Sequence, residues 1–147
     1  MTAQRAARDE RRRHFGWRTT IASRWADCDA YGHVNNAIYY SWFDTALTTM
    51  AIERGVLRAA GQASIGLCIA SGCEFLAPIG FPETVEVGVR IGRIGNSSLR
   101  YELAIFRAGT EEPAAVGHFT HVFVDAATRK AVPLTDTQKA AIADLAP

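Results

Sequence analysis

A stretch that reads as a helix with almost no polar side constrains this chain more than any other feature. Over residues 35–54, Tyr39, Trp42, Phe43, Ala46, Leu47 and Met50 fall at helical spacing along one stripe. Ala37, Ile38 and Ala51 widen that stripe. A helix apolar around most of its circumference has to be covered on several sides. Asn35 or Asn36 can cap its first turn, and Gly55 suits its C-terminal stop.

Strands supply the cover. Residues 17–26 read as a first strand, rich in aromatic and β-branched types. After the helix, residues 65–75 form a second candidate. In residues 84–94, Val85, Val87, Val89 and Ile91 share one face while Glu86 and Arg90 lie opposite. Residues 99–106 repeat the alternation, with a turn at Gly95, Asn96 and Ser97 between the two. Residues 114–124 make the last strand. A short final helix is expected from Thr135, which forms a capping box with Gln138. This order predicts an α+β fold: an antiparallel sheet wrapped around one long central helix. The sheet's free edges and outer face predict a dimer or tetramer.

The chain has 147 residues, the size of one domain, and 48% of them are hydrophobic. Its net charge is +1, but five arginines fall within the first thirteen residues. The remainder holds eleven basic and thirteen acidic residues, which argues against a nucleic-acid-binding face. Residues 1–14 are therefore expected to form a flexible Arg-rich tail or a short exposed helix, and residues 15–147 a single domain. No apolar run is long enough to span a bilayer, and the N-terminus lacks the apolar segment of a signal peptide. Three cysteines, an odd number, point to reduced thiols and a cytoplasmic location. Cys68 and Cys73 are an odd number of residues apart and so would face opposite sides of a regular strand.

The chemistry concentrates in the turn before the helix: Asp27, Cys28, Asp29, Ala30, Tyr31, Gly32, His33, Val34, Asn35, Asn36, Ala37, Ile38 and Tyr39. The first amides of a helix lack internal partners and carry partial positive charge, which suits them to a developing oxyanion. A carboxylate beside them can attack a carbonyl or activate water. That combination is the minimum equipment for acyl transfer to water, and it requires no metal or cofactor.

The same run resembles the signature of the 4-hydroxybenzoyl-CoA thioesterase-like branch of the hotdog-fold superfamily. The likeness continues through Trp42-Phe43-Asp44, Cys73-Glu74-Phe75 and Gly95-Asn96-Ser97-Ser98, and covers nearly all of residues 17–133. It implies a single hotdog domain that hydrolyses an acyl-CoA thioester. Asp29 would be the catalytic carboxylate, as nucleophile or general base. The oxyanion donor would be the amide of Asn36, with Asn35 adjacent. The resemblance also implies an active site at a dimer interface. Basic residues near the turn between the middle strands would hold the CoA phosphates. Here the turn carries Ser97 and Ser98, Arg93 and Arg100 flank it, and Arg129 with Lys130 form a second cluster. Tyr31, His33 and Tyr39 are further substrate-binding candidates, and residues 69–71 are candidates for the acyl pocket.

Each of these residues also has an ordinary structural reading. Aspartates are common before helices, and Asp27 is expected to point away and organise the turn. His33 can fix the turn, Asp44 can sit on a solvated helix face, and Ser97 and Ser98 suit any turn. His118 and His121 face opposite ways on a strand and cannot chelate a metal together. The alternative function is a non-catalytic hotdog protein that binds acyl-CoA or serves in assembly, since fold alone does not fix activity.

Overall fold

The computed structural model describes residues 3–57 and 63–147. Its elements are α1 (Ala3–Arg8), β1 (Trp17–Ala22), α2 (Asn36–Glu53), β2 (Ser64–Phe75), β3 (Thr84–Ile94), β4 (Ser98–Arg107), β5 (Ala115–Asp125) and α3 (Asp136–Ile142). The strands form one antiparallel sheet in the order β1-β3-β4-β5-β2. This is the expected hotdog architecture, with α2 as the wrapped helix.

Local chemistry sets the ends of α2. Asn35 is its N-cap, and the Asn35 Oδ1 accepts the Ala37 amide at 2.9 Å. Gly55 ends it with φ +73°, a conformation that glycine adopts freely. Phe43, Ala46, Leu47 and Met50 are fully buried against Val87, Val89, Ile91, Leu99, Leu103 and Ile105 of the sheet's inner face. Each such large side chain contributes about 1.5–3 kcal/mol. At Gly117 the helix and sheet come so close that a Cβ would lie 2.6 Å from the Phe43 ring and 2.7 Å from the Gly72 carbonyl oxygen. α3 begins as expected: Thr135 and Gln138 exchange capping-box hydrogen bonds of 2.9 and 3.1 Å.

Three features differ from the sequence reading. First, β1 stops at Ala22, and Trp25–Asp27 forms a 3₁₀ turn instead of a strand end. The cause is Asp27, whose carboxylate accepts the Arg24 amide at 2.7 Å and the Arg24 guanidinium at 2.7 and 3.0 Å. Second, a bulge between Cys68 and Ala70 shifts the β2–β5 register. Cys68 then pairs with His121 and Cys73 with Gly117, both inner-face residues, so the two cysteines face the same side. Third, the Arg-rich segment packs onto the sheet's outer face over the residues described. Met1, Thr2 and the Arg5 side chain lie outside them. Glu10 binds Arg90 through two hydrogen bonds, Arg12 pairs with Glu86, and Phe15 is buried against Ala104 and Phe106.

β2 is an edge strand. Its midpoint is the most exposed apolar segment of the sheet, with Leu67 39% and Ile69 63% accessible. No described helix is long and apolar enough to cross a membrane.

Candidate active site

The segment between the 3₁₀ turn and α2 is a tight hairpin-like loop. The Asp29 amide donates to the His33 carbonyl at 3.0 Å, and the Gly32 amide donates to the Asp29 carbonyl at 3.1 Å. Gly32 takes φ +79°, which the tip of the loop requires. Two longer-range bonds fix the loop's base: Asn35 N–H to the Asp27 carbonyl, and Val34 N–H to the Ile79 carbonyl. The backbone thus delivers Asp29 to the mouth of α2.

Asp29 Oδ1 accepts the Tyr31 amide at 2.9 Å. Its second oxygen has no hydrogen-bond partner among the described residues, and the side chain is half-buried. At the helix mouth, the Ala37 amide is taken by the Asn35 side chain and the Ile38 amide by the Asn35 carbonyl. The Asn36 amide is left without an acceptor among the described residues. Asp29 and Asn36, each with a group unpaired among the described residues, therefore line one groove.

That groove, about 510 Å³ and open to solvent, brings together Asp29, Tyr31, His33, Asn36 and Tyr39. Asn35 lies behind it as the cap. The opposite wall is the end of β2 and the chain after it: Phe75, Leu76, Ala77 and Pro78. These wall residues were not singled out as site residues from the sequence, although the Cys73-Glu74-Phe75 run followed by Pro78 marks where the strand leaves the sheet. Tyr39 is fixed edge-on to Phe75 at 5.0 Å. Burial raises the Tyr39 hydroxyl above its ordinary value. Burial, with the neighbouring Glu74, pushes the Cys73 thiol up to about 12, which leaves it unreactive.

Asp27 does not line the groove. It is 1% accessible. Burial alone would raise its carboxyl, but the bonds to Arg24 outweigh that and hold it below the usual range. Its role is to shape the turn, as expected. Asp44 is exposed on α2, and residues 69–71 are exposed on the β2 edge, outside the groove of a single chain.

The expected phosphate-binding residues lie elsewhere. Ser97 lies in the β3–β4 turn and Ser98 opens β4, and the Ser97 carbonyl accepts the Phe123 amide at 2.7 Å. Arg129 and Lys130 are exposed on the adjoining turn after β5, where Lys130 O accepts the Asp125 amide. Arg93 and Arg100 are register partners on the outer face, Arg100 3.8 Å from Glu102. This is the end of the sheet at which β2 begins, since Ser64 pairs with Asp125. The groove is at the end where β2 finishes. Eleven residue steps separate them, or about 36 Å at 3.3 Å per residue. Within one chain the two groups of candidates do not meet. Among the described residues no cluster of His, Cys, Asp or Glu could hold a metal.

Comparison with known proteins agrees with this architecture. The thioesterase-like superfamily matches residues 23–142. The PA5185 protein of Pseudomonas aeruginosa PAO1 is 44% identical over 93% of this chain and 96% of its own, with a TM-score of 0.89. The PA2801 protein of the same species, provisionally assigned as a thioesterase, is 32% identical over 85% of this chain and 96% of its own, with a TM-score of 0.79. A DHNA-CoA thioesterase from Staphylococcus aureus shares the fold, with a TM-score of 0.73 at 24% identity over 80% of this chain and 79% of its own. No protein of curated function matches. The chain is a hotdog-fold protein of the thioesterase-like superfamily. Thioester hydrolysis is the reaction class that this membership supports.

Proposed function

We propose that the chain hydrolyses an acyl-CoA thioester to the free acid and CoA, with Asp29 as nucleophile or general base. The observation that carries this is the pairing of a free Asp29 oxygen with the unpartnered Asn36 amide on one groove. A thioester carbonyl oxygen placed at the Asn36 N–H gains a donor as it becomes an oxyanion, worth roughly 2.7–4 kcal/mol of barrier. The free Asp29 oxygen then attacks the carbonyl carbon. This expels CoA thiolate and forms an anhydride, which water opens. Alternatively, the same oxygen takes a proton from water as the water attacks. General-base assistance contributes about 10²–10⁴-fold. The thiolate departs readily and picks up a proton from solvent.

The working unit is a homodimer or a tetramer built from it. The groove and the basic cluster occupy opposite ends of β2. Antiparallel pairing of two β2 edges through the exposed Ile69 region sets the Phe75 end of one chain beside the Ser64 end of its partner. Arg129 and Lys130 of one chain then approach the groove of the other and suit the CoA phosphates. Ser97, Ser98, Arg93 and Arg100 stand at that same end.

Thiol release from a panel of acyl-CoA esters, short to long and aryl, tests this reading without added metal. Turnover of at least one member is expected. Binding of acyl-CoA with no release across the panel would establish the non-catalytic alternative.

A further inference from the structure

The outer face of the sheet carries a cavity of about 430 Å³. Ala6, Ala7 and Glu10 of the N-terminal segment border it on one side, and Glu74, Arg100 and His118 of β2, β4 and β5 on the other. None of its lining residues borders the groove of Asp29. Its volume falls in the range of small-molecule sites, roughly 300–1,000 Å³.

Two arginines and three glutamates line this cavity. Arg90 holds Glu10 through hydrogen bonds of 2.9 and 2.6 Å and one oxygen of Glu102 at 2.8 Å. Arg100 stands 3.8 Å from the other oxygen of Glu102. Both arginines are thus committed to Glu10 and Glu102. Glu74 is the glutamate left over. Its Oε2 is buried and has no hydrogen-bond partner among the described residues. Burying a carboxylate oxygen unpaired is costly, and a cationic donor removes the cost.

His118 stands beside Glu74. It is the register partner of Gly72, which makes it a diagonal neighbour of Glu74 across the β2–β5 pair. Gly72 has no side chain, so the His118 ring lies against the β2 backbone; a Cβ there would be 2.6 Å from Cε1. Burial, and then Arg100, hold the imidazole below its ordinary 6.5, so at neutral pH it is uncharged and accepts an N–H. Ala6, Ala7, Leu103 and Val116 supply an apolar part of the lining.

We infer that this cavity is a binding site for a small organic ammonium ion, a primary amine on a short apolar body, with Glu74 as its counter-ion. One positive charge balances the one uncommitted glutamate. A primary ammonium has three N–H donors, enough for Glu74 and His118 together. Its body displaces water from Ala6, Ala7 and Val116. An anion would meet Glu74 uncompensated. A bare metal ion would leave the apolar lining unused, and no cluster among the described residues suits one. The site stands apart from the thioester-hydrolysis reading and does not depend on it.

The test is titration of the full chain at neutral pH and fixed ionic strength with butylammonium chloride, 1-butanol and sodium butyrate, followed by NMR. Butylammonium should bind saturably and shift the His118 ring resonances, which His118→Gln identifies. Butanol and butyrate should bind at least tenfold more weakly, the effect of one charge-assisted hydrogen bond. Glu74→Gln, nearly isosteric, should weaken butylammonium binding by about tenfold or more. Ala6→Trp, at an exposed position on α1, keeps Glu74 and obstructs the space, so it should weaken binding even if Glu74→Gln disturbs the fold. No saturable binding of butylammonium, equal binding of butanol, or an unchanged affinity in both variants overturns the proposal and leaves the cavity to solvent.

Discussion

The Tyr31 backbone amide holds one oxygen of Asp29 at 2.9 Å and leaves the other free at the helix mouth. This division of labour separates the structural duty of Asp29 from its proposed chemical one. Asp29→Asn keeps the oxygen that Tyr31 needs and removes the charge. Thiol release should fall by about 10²–10⁴-fold, while the melting temperature and circular dichroism stay near wild type. Asp29→Ala should lose activity equally and additionally about 0.5–1.5 kcal/mol of stability with the lost bond. Wild-type turnover by Asp29→Asn would remove Asp29 from the mechanism.

Ile69 is 63% accessible at the centre of an edge strand. Ile69→Asp places a charge where two β2 edges would meet. Light scattering should show the wild type as a dimer or larger and the variant as a monomer with impaired turnover. An unchanged mass would rule out the β2 edge as the interface.

Phe15 belongs to the segment that reads from sequence as the boundary of a tail, yet it is 1% accessible. It packs edge-on to Phe106 at 5.9 Å, and the Arg90 guanidinium lies 4.7 Å above its ring. Phe15→Ala should cost about 3–5 kcal/mol in urea unfolding, as for other buried aromatic truncations. A loss below about 1 kcal/mol would mean that the segment contributes little to the fold.

Stability should decline in two stages as pH falls. Burial is the largest cause holding His118 and His121 below the ordinary 6.5, and Arg100 acts in the same direction on His118. The unfolded chain therefore takes up these protons at higher pH than the fold does. Their contribution is complete above pH 6.5 and is lost as pH drops through the lower folded values. Glu10, Asp27 and Glu83 also titrate below their ordinary values of 4.5, 3.8 and 4.5, because their ion pairs and hydrogen bonds outweigh burial. Their contribution persists to more acid pH and goes last. Melting curves from pH 8 to 3 should show both stages, and His121→Phe should flatten the first. An unaltered first stage in that variant would place its origin elsewhere.

Much of this molecule was legible in its residues taken locally. The apolar girth of α2, the Asn35 cap, the Gly55 stop and the alternation of Val85, Val87, Val89 and Ile91 depend on neighbours a few positions apart. The sequence reading therefore located these elements to within a residue or two. The loop before α2 was equally readable, because a glycine at its tip and an acid two residues before the Tyr31 amide act within one turn.

Tertiary structure decided what depends on distant partners. Asp27 shortened β1 by bonding Arg24, and a single bulge at the centre of β2 turned Cys73 to the face of Cys68. Glu10 and Arg12 found Arg90 and Glu86 some eighty and seventy-four residues away, which no periodicity signals. Strand order put Asp29 and Arg129 at opposite ends of one sheet and buried Tyr101 beside His121 without a partner. Periodicity and capping are set by bonds within a turn or two. Register, burial and the meeting of charges follow from how separate segments pack, so the sequence alone determined the elements and the loop before α2, and only the folded chain decided what surrounds them.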